Sequence, residues 1–219
     1  MELSGFYGLI YKACVWIMRL AYLNVLWIAF TLLGLLIFGL GPATSAMFSI
    51  SRKWIIGEDN IPVFRTFLTQ FRSDFRKIFY LSAILFSVGA LLLANLMFFT
   101  KGDVPLLQIA KILTVNLAIV YGVMLIYIFP VFCHFDLKLL QYLKQSFYIG
   151  FLHPVFTLFL VLGMVGIGFV FLKVPGLMLF FSGSSFSLFL TWGAHKAFSK
   201  LESKKFRLRV AAPSNRIVS

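Results

Sequence analysis

An all-α membrane protein with five transmembrane helices and additional inner-face amphipathic helices is the fold class this chain predicts, and three observations predict it. Over 219 residues the composition is 61% hydrophobic and 12% charged, whereas soluble domains average about 45–50% apolar and about 25% charged. The charges are clustered, which leaves uncharged runs from Leu20 to Ser51, Ile78 to Thr100, Ile112 to Cys133, Pro154 to Leu172 and Val174 to Ala194. Each run reaches the ~20 residues that cross a bilayer as a helix. Phe, Leu and Ile fill these runs without strand-like alternation, and backbone groups in lipid have to be paired internally, so a helical bundle is favoured over a barrel.

The first element is the stretch from Gly5 to Met18, read as an interfacial helix or as an early extension of the first span. It lacks a basic region ahead of its apolar residues and a small-residue cleavage site, so it is expected to stay in the mature chain. The first span is placed at about residues 20–41, ending at Gly41-Pro42, because proline suits the first turn of a new helix and not the interior of an old one. The chain is expected to bend there at the inner face. In the stretch "GPATSAMFSISRKW", Ala43, Ala46, Met47, Ile50 and Trp54 recur at helical spacing, which predicts a second helix lying along the membrane or dipping into it. Gly41, Ser45 and Ser49, four apart, form a strip that admits a close neighbour.

A turn at Gly57-Glu58-Asp59-Asn60 precedes Pro62, a helix start signal. From Pro62 to Phe79, Phe64, Phe67, Leu68, Phe71, Phe75, Ile78 and Phe79 share one face and Arg65, Thr69, Arg72 and Arg76 the other. This predicts a basic amphipathic helix at the membrane surface. Its plain reading is anchorage to anionic headgroups beneath the bundle; its sharper one is a docking face for a partner. Further spans are placed at about 78–99, 112–133, 154–172 and 174–194, with a semi-polar helix between Asp136 and Gly150. A single domain is expected over residues 1–200, followed by a basic tail over 201–219. The plan of span, proline break, inner-face helix and span occurs loosely twice, with Pro42 set against Pro130 and Gly34 against Gly122.

The net charge of +13 reads as topology and not as nucleic-acid binding. Segments 40–77, 134–153 and 195–219 together hold 15 Lys and Arg, and the other side holds five: Lys12, Arg19, Lys101, Lys111 and Lys173. Basic residues concentrate in cytoplasmic loops, so the N-terminus is expected outside and the C-terminus inside. Cys14 and Cys133 then fall on opposite faces and cannot pair. Asn24, Asn95 and Asn116 fall at one depth below the outer face, and an unpaired amide in hydrocarbon is costly, so an interhelical polar cluster is expected.

The stretch from Gly41 to Phe79 resembles the signature region of the YesL-like family of bacterial membrane proteins. The matching positions are Gly41, Pro42, Ala43, Thr44, Lys53, Trp54, Gly57, Glu58, Pro62, Phe64, Phe67, Phe71 and Phe75. The resemblance implies a multi-pass protein of the bacterial cytoplasmic membrane, encoded near carbohydrate ATP-binding-cassette importers, with no established activity.

Signatures of chemistry are sparse. Phosphate-loop, HExxH and GxSxG patterns are absent from the sequence. His134, Asp136 and His153 form a conceivable metal or proton-transfer set, though boundary histidines are more often simply interfacial. No acid or base lies inside the expected spans, and ion-coupled transport usually marks itself with intramembrane ionisable groups. A non-enzymatic accessory protein without cofactor is therefore expected, contacting anionic lipid or an importer through Gly41, Pro42, Thr44, Arg52, Lys53, Trp54, Arg65, Arg72 and Arg76. A channel or transporter component for a neutral solute such as a saccharide is the alternative.

Overall fold

A computed structural model describes residues 6–99 and 105–211. Eight helices make up the described chain: α1 (Phe6–Leu33), α2 (Ile37–Ile55), α3 (Val63–Ser73), α4 (Phe75–Phe99), α5 (Pro105–His134), α6 (Leu139–Leu152), α7 (Pro154–Lys173) and α8 (Pro175–Ala211). Five of them contain segments long and apolar enough to cross a membrane: Tyr7–Leu33, Phe75–Phe99, Leu107–His134, Pro154–Lys173 and Pro175–Phe198. The last four match the expected spans closely. The first is displaced toward the N-terminus, because residues 6–18 are continuous with residues 19–33 in a single helix.

That displacement reflects where the chain reverses. It turns at Leu35-Leu36 and not at Gly41-Pro42. Leu36 N–H donates to Thr31 O (2.9 Å) and Leu35 N–H to Leu32 O (3.0 Å), the paired bonds of a Schellman C-cap, with Leu35 at φ 55° in the left-handed position. Gly34 and Gly39 make the reversal tight. A Cβ on Gly39 would lie 2.7 Å from Thr31 O, and one on Gly34 would run into the Gly39 backbone. Pro42 sits inside α2, in its second turn, where one missing N–H is the cost.

From this turn α2 runs antiparallel to α1. Trp27 Nε1 donates to Thr44 Oγ1 (3.0 Å), Thr44 Oγ1 donates to Leu40 O (2.6 Å), and Trp16 meets Trp54 edge to face. α2 is not a surface helix. It packs against α1, α3, α4, α5 and α8, and Ala43, Ala46, Met47, Phe48, Ile50, Ser51 and Trp54 are all buried. The small-residue strip performs as its spacing predicts: a Cβ on Gly41 would collide with Ser82 of α4, and Ser49 Oγ (3.4 Å) and Ser45 O (3.5 Å) both contact Cys133 Sγ of α5.

The expected amphipathic helix over 62–79 is two helices, broken at Asp74. Asp74 leaves helical geometry, its side chain accepts from Gln70 Nε2, and Ile78 N–H restarts on Asp74 O (2.9 Å). Phe75, Arg76, Ile78 and Phe79 thus belong to α4. The apolar face of α3 turns into the protein: Phe67 is fully buried, and Phe30 of α1 lies 5.0 Å from Phe67 and 5.2 Å from Phe71 between ring centres. Phe71, Phe75, Phe79 and Phe38 continue the row.

α5 and α6 repeat the arrangement of α1 and α2, a long helix and then a shorter one returning along it. Phe132 packs on Tyr142, and Gly150 approaches Val123 and Tyr127. Pro42 and Pro130 lie in non-equivalent elements, α2 and α5, so the residue pairing across the repeat does not hold while the arrangement does. α7 and α8 form a hairpin across Val174, where Leu160 fills the space left by Gly193 and Phe189 that left by Gly163. Gly102, Lys101 and Arg216 lie outside the described residues.

Candidate functional site: the basic end of the bundle

The basic segments that the charge pattern groups together meet at one end of the molecule. Lys77 Nζ of α4 donates to Asp136 Oδ1 beyond α5 (2.6 Å), the rings of His134 and Phe198 lie 4.9 Å apart, and Arg52 shares a small cavity with His134 and His195. Arg19 belongs there too. Its guanidinium donates to Asp59 Oδ1 (3.0 Å) and to Asp59 O (3.1 Å). Arg19 and the 57–60 turn therefore share a face, which corrects their assignment to opposite ones. The correction takes one of five basic residues from the sparse side.

The acids at this end are engaged. Asp59 pairs with Arg19, Glu58 with Lys53 (3.3 Å), Asp136 with Lys77, and Asp74 with Gln70. Arg65, Arg72 and Arg76 are exposed. These three guanidinium groups join Lys138 and Lys144 as exposed cations among the described residues, and α3 holds two of them in place because Phe67 and Phe71 pack on Phe30.

The other expected contact residues divide sharply. Gly41, Pro42 and Trp54 are buried in the bundle, and Thr44 spends its hydroxyl on Leu40 O. They set helix packing and present nothing to a partner. Lys53 reaches the surface but is paired; Arg52 is half-buried.

Between α4, α5 and α6 the same end opens a polar cleft of about 360 Å³ lined by Asp74, Lys77, Phe132, His134, Asp136 and Tyr142. Tyr142 shapes its floor, accepting from Leu137 N–H (3.0 Å) and donating to Phe135 O (3.1 Å). His134 and Asp136 stand out in the sequence through their spacing. Lys77 and Tyr142 carry no local signal there, because only the return of α6 along α5 brings them together. His153 lies apart, at the α6–α7 junction, and among the described residues no group of three His, Cys, Asp or Glu suits a metal ion.

The three asparagines do not bond one another. Asn24 is fully buried and ties α1 to α8, donating to Leu179 O (2.7 Å) and accepting from Ser184 N–H (3.1 Å). Asn116 is exposed and donates to Ile112 O of its own helix (2.8 Å). Asn95 is half-buried on α4. Asn24 instead heads a seam of α8 contacts in which Ser51 and Ser187 hydroxyls lie 2.5 Å apart and Thr191 donates to Ser187 O (2.6 Å).

Comparison with known proteins finds relatives over most of the chain. The family described as a protein of unknown function, DUF624, matches residues 20–96. The chain is 39% identical over 198 residues to the uncharacterized protein YesL of Bacillus subtilis (strain 168), covering 90% of this chain and 93% of that one. It is 37% identical to YteU of the same organism, covering 85% and 84%, and 32% identical to YesV, covering 89% and 94%. No solved structure matches.

Proposed function

The chain belongs to the DUF624, YesL-like family, and on that premise we propose that it is a non-enzymatic adaptor of the bacterial cytoplasmic membrane whose basic end faces the cytoplasm. The observation that carries this reading is the unequal fate of the two faces of α3. Phe67 and Phe71 of its apolar face pack on Phe30 of α1, while Arg65 and Arg72, with Arg76 beside them, stay exposed and Glu58, Asp59, Asp74 and Asp136 already have partners. A rigidly held row of guanidinium groups suits carboxylates or phosphates on a facing surface. The positive-inside bias supports the cytoplasmic assignment.

The partner we favour is an acidic cytoplasmic surface of a carbohydrate ATP-binding-cassette importer, with anionic headgroups as a second contact. Co-purification from mild detergent tests it. A stoichiometric importer subunit retained by the native protein and lost on joint charge reversal, Arg65→Glu, Arg72→Glu and Arg76→Glu, is the expected result. Saccharide flux in proteoliposomes holding this chain alone, with no retained partner, would replace the reading with that of a channel component.

A further inference from the structure

α6 packs along α5 but barely touches α7. Between the three helices lies an apolar groove of about 430 Å³ lined by Val120, Val123, Phe147, Phe151, Leu158 and Val161. Among the described lining residues Thr157 alone has a polar side chain. Its hydroxyl is engaged, donating to Gly150 O (3.0 Å) and sharing a hydrogen bond with Tyr127 (3.0 Å), so the groove offers nothing to a sugar or another polar solute. It opens where Phe147 is 43% and Phe151 75% exposed, on the outer surface of the bundle that meets lipid.

One cation is in line with this groove. Tyr142, Ser146, Ile149 and Gly150 bury one face of α6, and the opposite face exposes Lys144, Phe147, Tyr148 and Phe151. Lys144 is the member nearest the basic end, with Phe147 and Phe151 about 4.5 Å and about 10.5 Å further along the axis. A lysine set among lipid-facing aromatics keeps its stem in apolar surroundings and extends its ammonium to the headgroup layer.

We propose that the groove holds one acyl chain of an anionic phospholipid from the leaflet at the basic end, with the phosphodiester on Lys144, so that the lipid fills the gap between α6 and α7. Charge and shape choose this occupant. A basic residue at the membrane surface draws anionic headgroups. Close approach of a partner helix or a second copy needs small residues at the contact, whereas Ile119, Phe147, Phe151 and Leu158 are the exposed residues here and Gly150 is buried against Val123 of α5. The site stands apart from Arg65, Arg72 and Arg76 and does not depend on which face is cytoplasmic.

The full-length protein in a mild polyoxyethylene detergent is titrated with dioleoylphosphatidylglycerol and with dioleoylphosphatidylcholine, and bound lipid is counted by native mass spectrometry. One phosphatidylglycerol per chain should saturate, at least threefold tighter than phosphatidylcholine. Lys144→Gln, at an exposed position, should erase that preference, and Leu158→Trp, which crowds the groove, should weaken both lipids at least threefold. Glycerophosphate, which has the charge without the chain, should not compete. Joint reversal of Arg65, Arg72 and Arg76 to Glu should leave this binding unchanged, which separates it from the α3 surface. No saturable site, equal affinity for the two lipids, a preference retained in Lys144→Gln, undiminished binding in Leu158→Trp, competition by glycerophosphate, loss of the site in the triple variant, or a lipid-independent dimer would each overturn the proposal.

Discussion

Leu35 carries a side chain where the C-cap geometry asks for none. It occupies the left-handed position of the α1 C-cap at φ 55°, and its side chain is 76% exposed. A left-handed residue with a Cβ costs roughly 1–2 kcal/mol, while glycine gives back about 0.5–1 kcal/mol through the freedom of the unfolded chain. Leu35→Gly should therefore stabilise the protein by about 0.5–1 kcal/mol. Reversible unfolding in mixed micelles measures it, and a clear loss of stability would show that Leu35 makes a contact worth more than its strain. Asn24 is the opposite case. Its amide links α1 to two backbone groups of α8, whereas Asn116 bonds only its own helix. A double-mutant cycle between Asn24→Ala and Asn116→Ala should be additive to within about 0.5 kcal/mol; a larger coupling would restore the expected cluster. The sequence predicts a shared depth for these asparagines. Which way each helix turns its amide is not legible there, because rotation about a helix axis is set by neighbours such as Ser184 that local pattern does not reveal.

At the scale of elements, four of the five apolar helices were legible because an uncharged run of membrane length has few alternatives. The α1–α2 reversal was not. Its cause is the mutual approach of Gly34 and Gly39, a property of two helices in contact, while the more visible Gly41-Pro42 pair lies inside α2. α3 was legible in its periodicity but not in its end, since Asp74 breaks the helix through contacts that a continuous Phe spacing conceals. The aromatic row from Phe30 through Phe67, Phe71 and Phe75 is what fixes α3, each ring pair contributing about 0.5–1.5 kcal/mol beyond its burial. Phe67→Ala removes the fully buried member and should destabilise the protein by about 3–5 kcal/mol. Proteolysis should then cut first around residues 57–62. If α3 stays protease-resistant while global stability falls, the row serves the core generally and does not hold α3 in particular. Gly183→Leu is a second check on helix approach. A Cβ there would already lie 2.8 Å from Asn24 Oδ1 and 3.3 Å from Trp27, so the variant should lose the α1–α8 seam and unfold well below the native midpoint in detergent.

The whole molecule has a basic end because separate segments converge there, and the clustering of Lys and Arg along the chain already marks most of them. Arg19 departs from the face that a span beginning at Leu20 predicts, because α1 runs from Phe6 and α2 returns the 57–60 turn to Arg19. The pairing gives a test of architecture separate from orientation. In a chain with Cys14 and Cys133 replaced by Ser, cysteines at 19 and 59 should be joined by a bis-maleimide whose span is comparable to the reach of the Arg19–Asp59 pair they replace. Failure to cross-link in membranes would reject the α1–α2 hairpin itself. Orientation is read from a single cysteine at Gly57, which is exposed and has nothing within 4 Å of a Cβ built on it. Its φ of +92° makes any side chain there strained, a cost of about 1 kcal/mol that the fold should tolerate. An impermeant maleimide applied to intact cells should leave this thiol unmodified, and the same reagent should label it once the membrane is opened. Labelling in intact cells would put the 57–60 turn, Arg19 and with them the row of exposed arginines outside. The adaptor reading would then fall, since the surface proposed to meet a cytoplasmic partner would face the wrong compartment.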